Sequence, residues 1–181
     1  MNPALYIDPN SVNESNPLRK ILEDLALVET EWEWPYVAYE NVDTEIQSGF
    51  LSYIRIGYFL DRMRYHKLYK TQGFKSFKDY CLKALRKSAN YCTKIISAAQ
   101  VCLNLAAAGF EQLPNCVAQA LPLVKFNTVN EYGNSTLAEK WQKVLDETPP
   151  NQPITSTQIT EILDETPPET KPQQVIGWKL A

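Results

Sequence analysis

The sequence predicts an all-α protein: a helix-turn-helix core, accessory C-terminal helices and irregular termini. Three observations predict it. Apolar side chains recur at three- and four-residue steps through much of the 181-residue chain, as one face of a helix requires. Residues 76–100 divide into two such stretches around the basic turn Leu85-Arg86-Lys87-Ser88, the layout of two short helices joined by a tight turn. Period-two alternation, the mark of a half-buried strand, is seen at Glu31-Trp32-Glu33-Trp34 and is cut short by Pro35.

Taken in order, residues 1–17 are rich in Asn, Pro and Ser and read as an irregular lead-in. Over 18–30, Leu18, Ile21, Leu22, Leu25 and Val28 make an amphipathic helix, with Asn16-Pro17 as its start signal. The tryptophans that follow are expected to cover the core. A longer helix is expected from Asp43, with Ile46, Phe50, Tyr53, Ile54, Gly57 and Leu60 on one side. Gly57 lowers its helix propensity, which a close helix–helix contact would explain.

The centre of the chain comes next. Residues 76–85 place Phe77, Tyr80, Cys81, Ala84 and Leu85 on one helical face. Ser88 suits the N-cap of a second helix over 88–100, whose inward stripe is Cys92, Ile95, Ile96 and Ala99. Asn90, Thr93, Lys94 and Ser97 are left on the opposite face. Beyond it Gly109 supplies a helix stop, and a short helical piece after Leu113-Pro114 is limited by Pro122. A polar loop over 127–134 leads to a helix over 136–145 with a possible capping box from Ser135 or Thr136 to Glu139. One more helix covers 155–163, between two copies of Leu-Asp-Glu-Thr-Pro-Pro at 145–150 and 163–168. The expected division is 1–42, an acidic segment; 43–126, the helix-turn-helix core; 127–164, accessory helices; and 165–181, a Pro-rich tail.

Composition narrows the function. With 44% hydrophobic and 22% charged residues, the chain has an ordinary globular make-up. No apolar run approaches the roughly 20 residues that span a bilayer, and the start has neither a basic opening nor an apolar h-region, so a cytoplasmic protein is expected. The cysteines Cys81, Cys92, Cys102 and Cys116 are 11, 10 and 14 residues apart and His66 is the only histidine. Buried core thiols are therefore expected, with no metal site and no cofactor. No phosphate loop or nucleophile motif is present, so an enzyme is not expected.

Charge is the informative quantity. The net charge is −3, yet residues 1–50 carry −8, residues 51–100 carry +9 and residues 101–181 carry −4. A polyanion responds to the local field and not to the sum. The middle third is the candidate binding surface.

Ile56-Gly57 with Leu68-Tyr69, then Phe77-Lys78-Asp79-Tyr80-Cys81, then Ser88 through Ile95-Ile96-Ser97-Ala98-Ala99 form an ordered series of blocks. Leu113-Pro114, Gln119-Ala120-Leu121-Pro122-Leu123, Trp141 and Ile154-Thr155 complete it. The series resembles the helix-turn-helix DNA-binding proteins of bacterial plasmids and mobile elements. More distantly, it is similar to the central DNA-binding part of ParB/KorB-type partition proteins. The resemblance covers roughly residues 46–163. It departs from the family at Arg86, where the family has a turn glycine, and at Leu121, where it has an arginine.

The function expected is duplex DNA binding in transcriptional regulation or plasmid maintenance, by a homodimer. The helix over 88–100 would enter the major groove with Ser88, Asn90, Thr93, Lys94 and Ser97, because Asn pairs with adenine and Lys reaches guanine acceptors. Arg86 and Lys87, with Lys67, Lys70, Lys75 and Lys78, would hold phosphates. The alternative is a protein-interaction module whose basic face docks an acidic partner, the acidic N-terminal third of the same chain being one candidate. Asp61 and Asp79 are expected to pair with neighbouring cations. Tyr65, Tyr69 and Tyr91 are expected to pack into or over the core rather than stack on single-stranded bases.

Overall fold

In the computed structural model, residues 8–11, 13–31, 38–127 and 136–164 are described, and every regular element among them is helical. Trp32, Trp34, residues 128–134 of the polar loop, the capping candidate Ser135 and the tail 165–181 lie outside the described residues. The chain divides into two compact units, Met1–Gly49 and Phe50–Ala181.

In the first unit, a 3₁₀ turn at Pro9–Ser11 precedes helix α1 (Pro17–Glu31). Pro17 occupies the first helical position, where a missing N–H costs nothing, and Asn16 Oδ1 accepts the Leu18 N–H at 2.9 Å. Helix α2 (Tyr39–Phe50) starts ahead of Asp43 and stops just after Gly49. The single long helix expected from Asp43 is therefore wrong: α3 (Ser52–Tyr65) is a separate helix. At Leu51 the backbone swings to φ −85°, ψ 0°, away from the helical ψ near −42°, next to the poor helix former Gly49.

In the second unit, α3 packs along α5 (Ala89–Ala107), and Gly57 lies at this contact against Ile95 and Ala99. Between them lie a 3₁₀ turn, Leu68–Gln72, and α4 (Phe77–Lys83). Tyr69, Phe74, Phe77 and Tyr80 form a ring cluster whose neighbouring centroids are 5.5–6.5 Å apart. This apolar contact fixes the connection to the start of α4. Helix α5 ends in a Schellman motif. Gly109 is left-handed (φ 92°), its N–H meets the Ala106 carbonyl at 3.0 Å, and the Phe110 N–H meets Leu105 at 3.1 Å.

The remaining helices close over the far half of α5. They are α6 (Val117–Ala120), running into a 3₁₀ stretch Leu121–Phe126, then α7 (Leu137–Glu147) and α8 (Ser156–Leu163). Pro122 does not stop this segment as expected. It sits at the start of the 3₁₀ stretch, where the absent N–H breaks no bond. The expected capping box at Thr136 is absent as well: Thr136 has near-helical φ −80°, ψ 0° and its side chain caps nothing. Thr155, in extended geometry, does cap α8 by accepting the Gln158 N–H at 3.2 Å.

Helix α5 joins two apolar clusters. The smaller unites Leu60, Cys81, Cys92, Ile95 and Ile96. The larger gathers Tyr53, Cys102, Leu105, Leu123, Trp141, Val144 and Ile159. Polar groups inside the larger one are satisfied. The Tyr53 hydroxyl donates to the Pro114 carbonyl at 2.7 Å, and Trp141 Nε1–H donates to the Gln112 carbonyl at 2.8 Å. Buried Gln119 accepts the Asn115 N–H at 2.8 Å and donates to the Ile154 carbonyl at 2.6 Å. Such pairing is what makes burial of these groups tolerable.

Candidate nucleic-acid interface

The basic third of the chain falls on α3, the 3₁₀ turn, α4 and the first half of α5. Helix α4 begins where Ser76, in extended geometry, accepts the Asp79 N–H at 3.1 Å. The Asp79 carboxylate reaches back to the Lys75 N–H at 3.2 Å and pairs with Lys83 at 2.8 Å. The Lys83 hydrogen bond, then the Lys75 one, holds the Asp79 carboxyl below its usual range.

From α4 to α5 the chain turns through residues 84–88. Arg86 is left-handed at φ 54°, the conformation that glycine adopts without cost. The Lys87 N–H closes the turn on the Cys81 carbonyl at 3.0 Å. Ser88 then caps α5 by accepting the Tyr91 N–H at 3.0 Å, which satisfies one of the orphan donors of the first turn.

Cys92, Ile95, Ile96 and Ala99 are buried, as the inward stripe requires. On the opposite face Asn90, Thr93 and Lys94 are exposed, while Ser97 is half-buried. Val101 lies on the same side as Asn90 and Lys94 by helical spacing, yet it is fully buried. Packing of the C-terminal elements on the second half of α5 thus covers this side at Val101, while Gln100 and Asn104 beside it stay exposed. Beyond the first two turns the exposed polar side chains are Gln100 and Asn104, and Asn104 donates to Asn127 Oδ1 at 2.7 Å.

Lys67, Lys70, Lys75, Lys78, Arg86 and Lys87 are all exposed. Lys67 is left-handed at φ 55°, at the entry to the 3₁₀ turn. Lys87 lies over the Tyr91 ring at 5.7 Å from its centroid. The two carboxylates of this region are engaged locally: Asp61 pairs with Arg62 at 2.6 Å and with Arg64 at 3.0 Å, and Asp79 with Lys83. They neutralise Arg62, Arg64 and Lys83 in part and leave the remaining cations to solvent.

Of the three tyrosines, Tyr69 is buried, whereas Tyr65 and Tyr91 are exposed. Two features were missed in the sequence: Tyr91 beside Lys87, and an apolar cleft between α3 and α5 lined by Ile56, Phe59 and Met63. The signal for the cleft was present, since α3 carries more apolar residues than its face toward α5 can hold.

Comparison with protein families, curated proteins and solved structures gives no match for this chain. No helix among the described residues is long and apolar enough to cross a membrane.

Proposed function

We propose that the chain binds double-stranded DNA, with α4, the turn and α5 acting as a helix-turn-helix and the start of α5 as the recognition element. One observation carries this reading. A Ser-capped helix start presents exposed Asn90, Thr93 and Lys94 within a region of net charge +9 whose only carboxylates are already paired. Asn90 and Lys94 supply base-edge chemistry, and Arg86, Lys87, Lys67, Lys70, Lys75 and Lys78 supply phosphate contacts. Ser88 and Ser97 contribute less, since the Ser88 hydroxyl already accepts from Tyr91 and Ser97 is half-buried. A homodimer in transcriptional regulation or plasmid and mobile-element maintenance fits this reading, because the few side chains of one helix start give limited specificity and two half-sites multiply it.

Fluorescence anisotropy of labelled duplex DNA, titrated at several salt concentrations, tests the proposal. Affinity is expected to fall steeply with salt and to weaken in a Lys87→Ala/Lys94→Ala variant. Salt-insensitive binding, or equal affinity of the variant, removes the helix start from the interface. No binding by the intact chain removes the DNA reading altogether.

A further inference from the structure

The apolar cleft between α3 and the start of α5 has a volume of about 470 Å³ and is open to solvent. Ile56 and Phe59 line it and remain 50% and 58% exposed. Met63 continues the same row one turn on. The spacing i, i+3, i+7 puts the three on one side of α3, and an apolar groove of this kind is what receives the apolar face of a docked amphipathic helix. Exposed apolar side chains grouped in this way mark an interaction site more often than scattered ones do.

Charge decides the occupant. Lys87 lines the cleft itself, and every lining residue belongs to the segment 51–100, which carries +9. Two copies meeting cleft to cleft would bring these like charges together, at a cost. A duplex offers phosphates and, of apolar groups, little beyond scattered thymine methyls, too little to cover Ile56 and Phe59. An acidic helix with an apolar stripe satisfies both features.

We propose that this cleft is the docking groove for an acidic amphipathic helix of a partner protein. The helix lays its apolar side chains over Ile56, Phe59 and Met63 and sets its carboxylates against Lys87. This goes beyond the DNA reading and does not depend on it.

The test titrates the full chain into a fluorescein-labelled helical peptide of roughly 16 residues, with leucines at helical spacing and glutamates elsewhere, and into its lysine counterpart. Expected is saturable binding of the acidic peptide, weakened at least about tenfold by Phe59→Ser or by replacing the glutamates with lysines. The circular-dichroism melt of the variant should be unchanged; if Phe59→Ser does not fold, Ile56→Ser on the same row replaces it. Equal binding of the two peptides, or by the variant, overturns the proposal. So does self-association in sedimentation that Phe59→Ser abolishes, which would give the cleft to a second copy. Loss of DNA binding in Phe59→Ser, without peptide binding by the intact chain, would give it to nucleic acid.

Discussion

Gly57 and Ala99 set the distance between α3 and α5: a Cβ added at Gly57 would overlap the Ala99 methyl and stand 2.7 Å from the Ile95 carbonyl oxygen. The neighbour on one side is thus backbone, which cannot rotate away. Helix propensity alone would reward an alanine here.

Gly57→Ala therefore pits two effects against each other. Alanine gains up to about 1 kcal/mol of intrinsic helix preference, while overpacking a tight contact costs about 1–3 kcal/mol. Overpacking is expected to win, because α3 against α5 is the main helix contact of the second unit. The urea midpoint should fall. A midpoint that stays or rises would mean that the helices separate easily.

Gly57 was legible because a helix-breaking residue within an apolar stripe asks for a reason. Ser88 and Gly109 were legible in the same way, since caps are local chemistry, whereas Ser76 and Thr155 were read as helix starts and their capping emerges from the structure. What failed depended on context. Thr136 precedes a helix as Thr155 does, but only Thr155 has the extended backbone that aims its hydroxyl at the first turn. The Tyr53–Pro114 hydrogen bond joins residues far apart in the chain, and no periodicity encodes it. Periodicity gave the outer face of α5, but not that packing buries Val101 on it. The all-helical character was readable; the apolar surplus of α3, and hence the cleft at Ile56 and Phe59, was overlooked because only the face toward α5 was traced.

Thiol chemistry separates the cysteines. Cys81, Cys92 and Cys102 are buried and Cys116 is exposed. Burial pushes the Cys81 thiol up to about 12 and the Cys102 thiol up to about 11, so neither forms the reactive thiolate at neutral pH. Ellman's reagent on the native protein is expected to modify one of the four thiols quickly and the others only on unfolding. Cys116→Ser should remove the fast phase and leave the slow one.

Acid stability should report Asp61. Burial works to raise its pKa, but hydrogen bonds from Arg62 and Arg64 outweigh this and leave it lowered. The folded state then binds fewer protons than the unfolded chain, so stability rises with pH across that window. The contribution is whole above about pH 4, where an unfolded aspartate ionises. It is lost as pH falls through the lowered folded value. Asp79, lowered first by Lys83, acts in the same sense. In urea denaturation, the gap between wild type and Asp61→Asn should be widest near neutral pH and shrink below about pH 4; a gap independent of pH would show that the ion pairs contribute nothing.

Arg86 offers the sharpest separation of fold from function. Its φ of 54° costs an L-residue about 1–2 kcal/mol that glycine does not incur, against about 0.4–1 kcal/mol of added unfolded-state entropy. Arg86→Gly is thus expected to leave stability unchanged or raise it by up to about 1.6 kcal/mol. If the guanidinium meets a phosphate, the same variant loses one counterion-releasing contact. The slope of log affinity against log salt should then shrink by about 1. Arg86→Lys should keep the slope and the strained turn together. A Gly variant that is stable and binds DNA with the wild-type slope removes Arg86 from the interface while leaving the turn intact. A Gly variant that is destabilised means that the Arg86 side chain, and not its backbone, holds α4 to α5.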